Sequence, residues 1–145
     1  MRYAVKLMED GGAFVVTCRD LPAFNSVGDT VEEALRESVD GIALALEGYM
    51  DERAPIPAAT EKKRGEHWVS LPALDVAKIG LYQAMLANHL RKADLVRLLG
   101  VHAPQVDRLL SLSHKSKLEQ VEDALGHLGY RVNVTVERVT ARYAA

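Results

Sequence analysis

Apolar and polar residues alternate near the start of the chain. This alternation over residues 3–8 predicts a strand with one buried face. The next four residues, Glu9-Asp10-Gly11-Gly12, are typical of a tight turn, and residues 13–18 form a second apolar run. The pattern therefore predicts a β-hairpin, followed by a short third strand at residues 24–27.

A helical pattern follows at Val31. Thr30 and Glu33 have the spacing of a capping box, in which the Thr30 hydroxyl accepts from the Glu33 N–H and the Glu33 carboxylate accepts from the Thr30 N–H. Apolar residues recur at helical spacing from residue 31 to residue 49, and residues 67–71 predict one more strand. The order strand, strand, strand, helix, strand predicts an α+β domain over residues 1–71.

After Pro72 the apolar spacing is helical. It predicts helices over residues 75–89 and 118–128, with two short helices between them in residues 90–110. Pro72 is therefore the expected boundary of a second domain, which comprises residues 72–145.

The two short helices have the pattern of a helix-turn-helix. Leu95 and Leu99 share one face of the first, and Gly100 can take the positive φ that a tight turn requires. Val106 and Leu109 share one face of the second. The same spacing would also suit an ordinary helical hairpin within a core, but we favour the DNA-binding interpretation.

In that interpretation, the free face of the second short helix enters the major groove of DNA. Arg108 is the strongest candidate for a base contact, because a bidentate Arg–guanine pair is the commonest specific contact. Asp107 is expected either to orient Arg108 or to accept from cytosine. The predicted DNA-contacting residues are His102, Ala103, Pro104, Gln105, Asp107, Arg108, Lys92, Lys115 and Lys117, with Arg91 and His114 as further backbone candidates.

Residues 131–139 alternate again, with Val132, Val134 and Val136 on one side and polar residues on the other. A single strand in an otherwise helical domain leaves unpaired backbone groups, so it must find a sheet edge. The sheet of the first domain is one candidate, and the same strand of a second copy is the other. We favour the second copy, which predicts a homodimer or a larger assembly.

Charge differs between the two halves of this 145-residue chain. Residues 1–71 contain eight Lys/Arg and thirteen Asp/Glu, whereas residues 72–145 contain ten and seven. An acidic domain joined to a mildly basic one suits two different partners. The one cysteine, Cys18, lies among apolar neighbours and is expected to be a buried structural thiol. No apolar run approaches the ~20 residues that span a bilayer, so no membrane partner and a cytoplasmic location are expected.

Several short segments follow one another in a specific order along both halves. They are Asp20-Leu21-Pro22, residues 28–34, Ile56-Pro57, Leu71-Pro72, Ala77-Lys78-Ile79, residues 95–110 and Ser113-His114-Lys115. In this order the two halves resemble the HicB-type antitoxins of HicA–HicB toxin–antitoxin systems, in the variant that carries a helix-turn-helix. The resemblance implies a partial RNase H-like fold for residues 1–71. It also implies binding to a small HicA-type mRNA-cleaving toxin with occlusion of its active site, and repression of the chain's own promoter.

The residues themselves favour binding over catalysis. RNase H chemistry needs several carboxylates that converge on two metal ions, but the first strand has Lys6 and no acid at its centre. We therefore expect no enzyme activity, no metal site and no cofactor. Lys6, Asn25 and, if it is exposed, Phe24 are the candidate toxin contacts, although Phe24 suits the core better. A transcription regulator whose first domain senses a ligand is the main alternative, and a nuclease is a more remote one.

Overall fold

A computed structural model describes residues 1–139. Its elements are β1 (Arg2–Asp10), β2 (Ala13–Thr17), β3 (Asn25–Gly28), α1 (Val31–Asp51), β4 (His67–Ser70), α2 (Ala73–Ala87), α3 (Lys92–Leu99), α4 (Ala103–Leu110) and α5 (Leu118–His127). The predicted order of strands and helices is confirmed up to α5. Among the helices described, none combines the length and the apolar character that crossing a bilayer requires.

The chain divides into two compact units. The first comprises Met1–Gly48, Ile56–Leu71 and residues 136–139, and the second comprises Tyr49–Pro55 and Pro72–Thr135. The end of α1 belongs to the second unit, where the buried Tyr82 hydroxyl donates to the carbonyls of Ala54 at 2.6 Å and Tyr49 at 3.3 Å. Burial raises the pKa of Tyr82, so this hydroxyl remains protonated and able to donate.

The first unit is built on one antiparallel sheet with the strand order β3-β2-β1-β4. The predicted hairpin is confirmed, with Lys6 opposite Thr17 and Asp10 opposite Ala13. Its turn contains Gly11 and Gly12 at φ 61° and 86°, which is the region that glycine enters without a Cβ clash. Strand β1 pairs with β2 along one edge and with β4 along the other, and its residues Tyr3, Ala4 and Val5 are buried.

Helix α1 covers one face of the sheet. On that face Val5 and Val16 are fully buried, as are Ala34 and Ile42 of the helix. Gly28 fixes the closest approach, because a Cβ at this position would lie 2.5 Å from the Ala34 backbone nitrogen. Hydrophobic burial between the sheet and α1 therefore contributes to the stability of this unit.

The start of α1 corrects one detail of the expected capping box. The Glu33 N–H donates to the Thr30 hydroxyl at 3.1 Å, as predicted. The Glu33 carboxylate accepts from the Asp29 N–H at 3.1 Å rather than from Thr30. The side chain thus satisfies a donor one residue further from the helix.

Replacing Gly28 by Ala is expected to lower the free energy of unfolding by about 1–3 kcal/mol, because the added methyl group would overlap the α1 backbone. Gly48→Ala is the matched control, since a Cβ there meets no heavy atom within 4 Å. It should be neutral, or stabilise the helix by up to about 1 kcal/mol. Urea denaturation of the full chain measures both, and equal effects would contradict the close approach.

The second unit packs α2 against α4 and α5, and α3 against α4 and α5. Its core includes Ile79, Leu81, Leu95, Val106 and Val121, each fully buried. The apolar spacing that predicted these helices therefore marks their buried faces.

Residues 131–139 are assigned to no strand in the described part of the chain, although their alternation predicts one. The strand predicted there is therefore not observed among the described residues. Val134 and Val136 are 62% and 91% exposed. Val132 is half-buried.

Candidate functional site

The turn between α3 and α4 has the geometry that its sequence predicts. Gly100 ends α3 at φ 65°, and its N–H donates to the Val96 carbonyl at 3.0 Å. Leu95 before the turn and Val106 after it are both fully buried. Only three residues, from Gly100 to His102, separate the two helices. These features place two consecutive eight-residue helices on one small core.

One face of α4 is open to solvent. The exposed residues of this face and its start are His102, Ala103, Pro104, Gln105, Asp107 and Arg108. Arg108 is exposed, and with His114 it lines a cavity of about 410 Å³ that is bounded by α4 and the start of α5. Lys115 and Lys117 in the following loop are exposed as well. The structure thus leaves most of the predicted DNA-contacting side chains accessible.

Two of the predicted DNA-contacting side chains contact each other. The Lys92 ammonium at the start of α3 lies 2.9 Å from the Asp107 carboxylate on α4, and both side chains are about 60% exposed. Within the described residues, Asp107 therefore pairs with Lys92 instead of orienting Arg108. An exposed pair of this kind contributes ~1 kcal/mol or less, so a phosphate could displace it.

Local hydrogen bonds fix where both short helices begin. The Gln105 side-chain oxygen accepts from the His102 N–H at 2.8 Å, which leaves its amide NH₂ available to a partner. The Asp94 carboxylate accepts from the Arg91 N–H at 2.8 Å. This hydrogen bond, together with the charge of Arg97, lowers the pKa of Asp94. These caps satisfy N–H groups that a short helix would otherwise leave unpaired.

The first unit exposes part of the sheet face opposite α1. The register aligns residues in two rows across β1, β2 and β3. The polar row consists of Lys6, Thr17 and Asn25, all exposed. The apolar row consists of Met8, Val15 and Val27, of which Met8 and Val27 are 56% and 58% exposed. We call these six residues the open sheet face.

Lys6 and Asn25, two of the candidate toxin contacts, therefore lie in one row. Phe24 does not, because it is only 4% exposed and its ring occupies the space where a Cβ on Gly41 would lie. Phe24 is thus a core residue, and it is withdrawn as a toxin contact. Val27 and Met8 were missed because the sequence alone does not show which strand residues align.

A protein-family model matches residues 2–80 and is described as the HicB_like antitoxin of a bacterial toxin-antitoxin system. The chain is 41% identical to "Antitoxin HicB" of Pseudomonas fluorescens (strain Pf0-1) over 136 residues, which cover 93% of each chain.

The chain belongs to the HicB-like antitoxin family.

Other relatives named HicB align over a similar share of the chain. "Antitoxin HicB 2" of Photorhabdus laumondii is 38% identical over 89% of this chain and 91% of its own length. "Antitoxin HicB" of Escherichia coli (strain K12) is 27% identical over 94% and 99%. The family model ends within α2, whereas these relatives align over nearly the whole chain. The HicB likeness therefore extends to the helical unit as well as the sheet.

A metal ion in this HicB-family chain would require several His, Cys, Asp or Glu side chains in one place. Among residues 1–139, no three His, Cys, Asp or Glu side chains are placed so that they could hold a metal ion. Cys18 is buried, as expected, and burial raises the pKa of its thiol. A buried neutral thiol is a poor nucleophile and a poor metal ligand.

Sequence reasoning assigned no role to Lys78, a fully buried residue of α2. Its ammonium donates to three backbone carbonyls in the second unit. One signal was available, because positions 78, 82 and 85 have the spacing of a single helix face and the other two are apolar. A lysine on such a face marks a buried charge with specific acceptors.

Proposed function

We propose that this HicB-family chain is a cytoplasmic antitoxin that binds and neutralises a small HicA-type toxin and represses its own operon. In this proposal the first unit has a partial RNase H-like fold and binds the toxin, whereas α3 and α4 form a helix-turn-helix that binds operator DNA. The observation that carries the proposal is that one chain of an antitoxin family exposes both the open sheet face and the Arg108 face of α4.

Charge supports the toxin-binding half. The first domain of the sequence has thirteen acidic and eight basic residues, so it suits a basic, RNA-binding partner. The open sheet face adds an exposed apolar row beside a polar row, which is the composition of a protein interface with a dry centre and a polar rim. Lys6 and Asn25 lie in the polar row.

Geometry supports the DNA-binding half. Arg108 is exposed on α4, and Lys115 and Lys117 are exposed in the next loop. In DNA-binding proteins, side chains of one helix usually contact the bases, and flanking cations contact the phosphates. Ala103 and Pro104 offer small apolar surfaces to thymine methyl groups. Because the chain has so few polar base-contacting residues, two copies must bind together on a palindromic operator. Val132, Val134 and Val136 would join the two copies.

The similarity to proteins named as antitoxins does not favour the alternative of a regulator with a ligand-sensing domain. Their names also suit a binding protein better than a nuclease.

Co-expression tests the proposal as a whole. The chain is produced with the toxin encoded beside it, and growth and the mass of the purified complex are measured. We expect restored growth and a stable complex that retards a DNA fragment from its own promoter. Continued growth arrest without a complex would contradict the toxin-binding half, and the absence of promoter binding would contradict the other half.

Arg108→Ala is expected to weaken operator binding by about 1–3 kcal/mol and to relax specificity at one base pair, because it removes a bidentate base contact. Fluorescence anisotropy with the operator and with single-base variants measures both effects. Unchanged affinity would remove Arg108 from the interface.

Lys117→Ala is the matched comparison, because it removes an exposed cation from the same region without removing a base contact. It should weaken all DNA sequences alike and reduce the salt slope by about one. If Lys117→Ala altered sequence preference instead, the division between base and phosphate contacts would be wrong.

A further inference from the structure

Lys78 is a lysine with no exposed surface. Its Nζ donates to the carbonyl oxygens of Arg108 at 2.9 Å, Ser111 at 2.6 Å and His114 at 2.6 Å. An ammonium has three N–H donors, so it can donate to all three of these carbonyls. Charge-assisted hydrogen bonds of this length are about twice as strong as neutral ones, and they offset the cost of burying the charge.

The three acceptors lie at the end of α4 and in the loop that follows. The last carbonyls of a helix have no partner within it, and a cation there also interacts favourably with the helix dipole. The same loop closes on itself, because the Ser111 carbonyl accepts from the His114 N–H at 3.3 Å and the Arg108 carbonyl accepts from the Ser116 hydroxyl at 3.2 Å. One buried ammonium thus connects the end of α4 to the middle of the loop.

We infer that Lys78 is a positioning residue for DNA binding. It contacts the backbone of Arg108 itself, and it fixes His114, the residue that precedes Lys115. The ammonium therefore holds the base-contacting helix and the phosphate-contacting loop in one arrangement. This inference rests on the DNA-binding half of the proposed function.

Packing alone does not require a lysine at this position. A methionine has nearly the same length and volume, and an apolar side chain avoids the cost of burying a charge. What methionine cannot do is donate to three carbonyls. Lys78→Met consequently removes the positioning interaction and preserves the volume of the side chain.

Lys78→Met in the full chain should weaken operator binding by about 3- to 30-fold, the range seen for residues that act without touching the ligand. Neutralisation of the co-expressed toxin should be unchanged. Amide hydrogen exchange over residues 111–117 should become faster, because the carbonyls that order this loop lose their donor. Exchange elsewhere in α2 should remain as in the original chain.

Tyr82→Phe is the matched control. It lies one turn further along α2 and also removes a buried donor to backbone carbonyls, those of Ala54 and Tyr49, without touching the loop. It is expected to lower stability but to leave both operator affinity and exchange over residues 111–117 unchanged. Equal losses of operator affinity in the two variants would mean that Lys78 only stabilises the fold, and this would overturn the inference.

A second measurement needs no variant, and so it holds even if Lys78→Met does not fold. In ¹⁵N-labelled chain, the Lys78 ammonium should give a slowly exchanging NMR signal, which should shift when operator DNA is added. A signal that DNA leaves unmoved would overturn the inference. If the original chain binds no operator DNA, the proposed function fails, whereas loop exchange in Lys78→Met still tests the positioning role.

Discussion

Replacing both Val134 and Val136 by Asp is expected to split the proposed dimer. It should also weaken operator binding by roughly 100-fold or more, because the two half-sites would no longer be bound by one linked pair of subunits. These side chains are 62% and 91% exposed in the single chain. Their alternation with polar residues is that of a strand, yet no strand partner is present for them in the described residues. Sedimentation gives the oligomeric state, and anisotropy on full and half operators gives the affinity.

The physical reason is that a strand's backbone N–H and C=O groups need hydrogen-bond partners. A strand exposes a row of N–H and C=O groups, and an antiparallel copy of itself across a two-fold axis satisfies them while it buries the valines. Two carboxylates in that interface would face their symmetry copies without partners, and like charges directly opposite each other destabilise a strand pair.

Thr135→Asp is the control, because residue 135 falls on the polar side of the alternation. It should leave the proposed dimer intact. A monomeric original chain at micromolar concentration, or a double variant that remains dimeric, would show that this segment does not join the subunits.

Short-range patterns in the sequence predicted most of the fold. The hairpin, α1 and the turn at Gly100 each depend on residues within a few positions of one another, where period and turn chemistry act directly. The exposed face of α4 followed from the same periodicity. Local patterns do not predict which residues of neighbouring strands lie opposite each other. The row containing Met8 and Val27 was therefore not predicted.

Interactions between distant residues account for the rest. The connector at residues 58–65 has the composition of a loose linker, yet the Arg19 guanidinium binds the Glu66 carboxylate, the Glu61 carbonyl and the Thr60 hydroxyl. Asp20 also accepts from the Thr60 N–H at 2.9 Å. These partners are separated by 40 or more positions, so no local pattern reveals them. Lys78 belongs to the same class, because its acceptors lie 30 to 36 positions away.

The apolar row that aligns across β1, β2 and β3 gives the second prediction, which concerns binding of the toxin. Met8→Lys combined with Val27→Lys is expected to weaken toxin binding by about 100-fold or more, since each lysine would place an unpaired charge in the apolar part of the proposed interface. Added cations would also repel a basic toxin. Both side chains are more than half exposed, so the free chain should keep its stability. Isothermal titration with an inactivated toxin measures the loss, and growth on co-expression reports neutralisation.

Leu44→Lys is the control that distinguishes the effect of where a lysine is placed from the effect of its added charge. Leu44 is the most exposed apolar side chain of α1, at 72%, and it lies outside the open sheet face. The variant adds the same cation to the same unit, and it should bind and neutralise the toxin normally. Operator binding should persist in the double variant, because the proposed DNA-contacting residues lie in the other unit. Should Leu44→Lys abolish neutralisation while Met8→Lys/Val27→Lys preserves it, the toxin would bind at α1, and the open sheet face would have no role in its recognition.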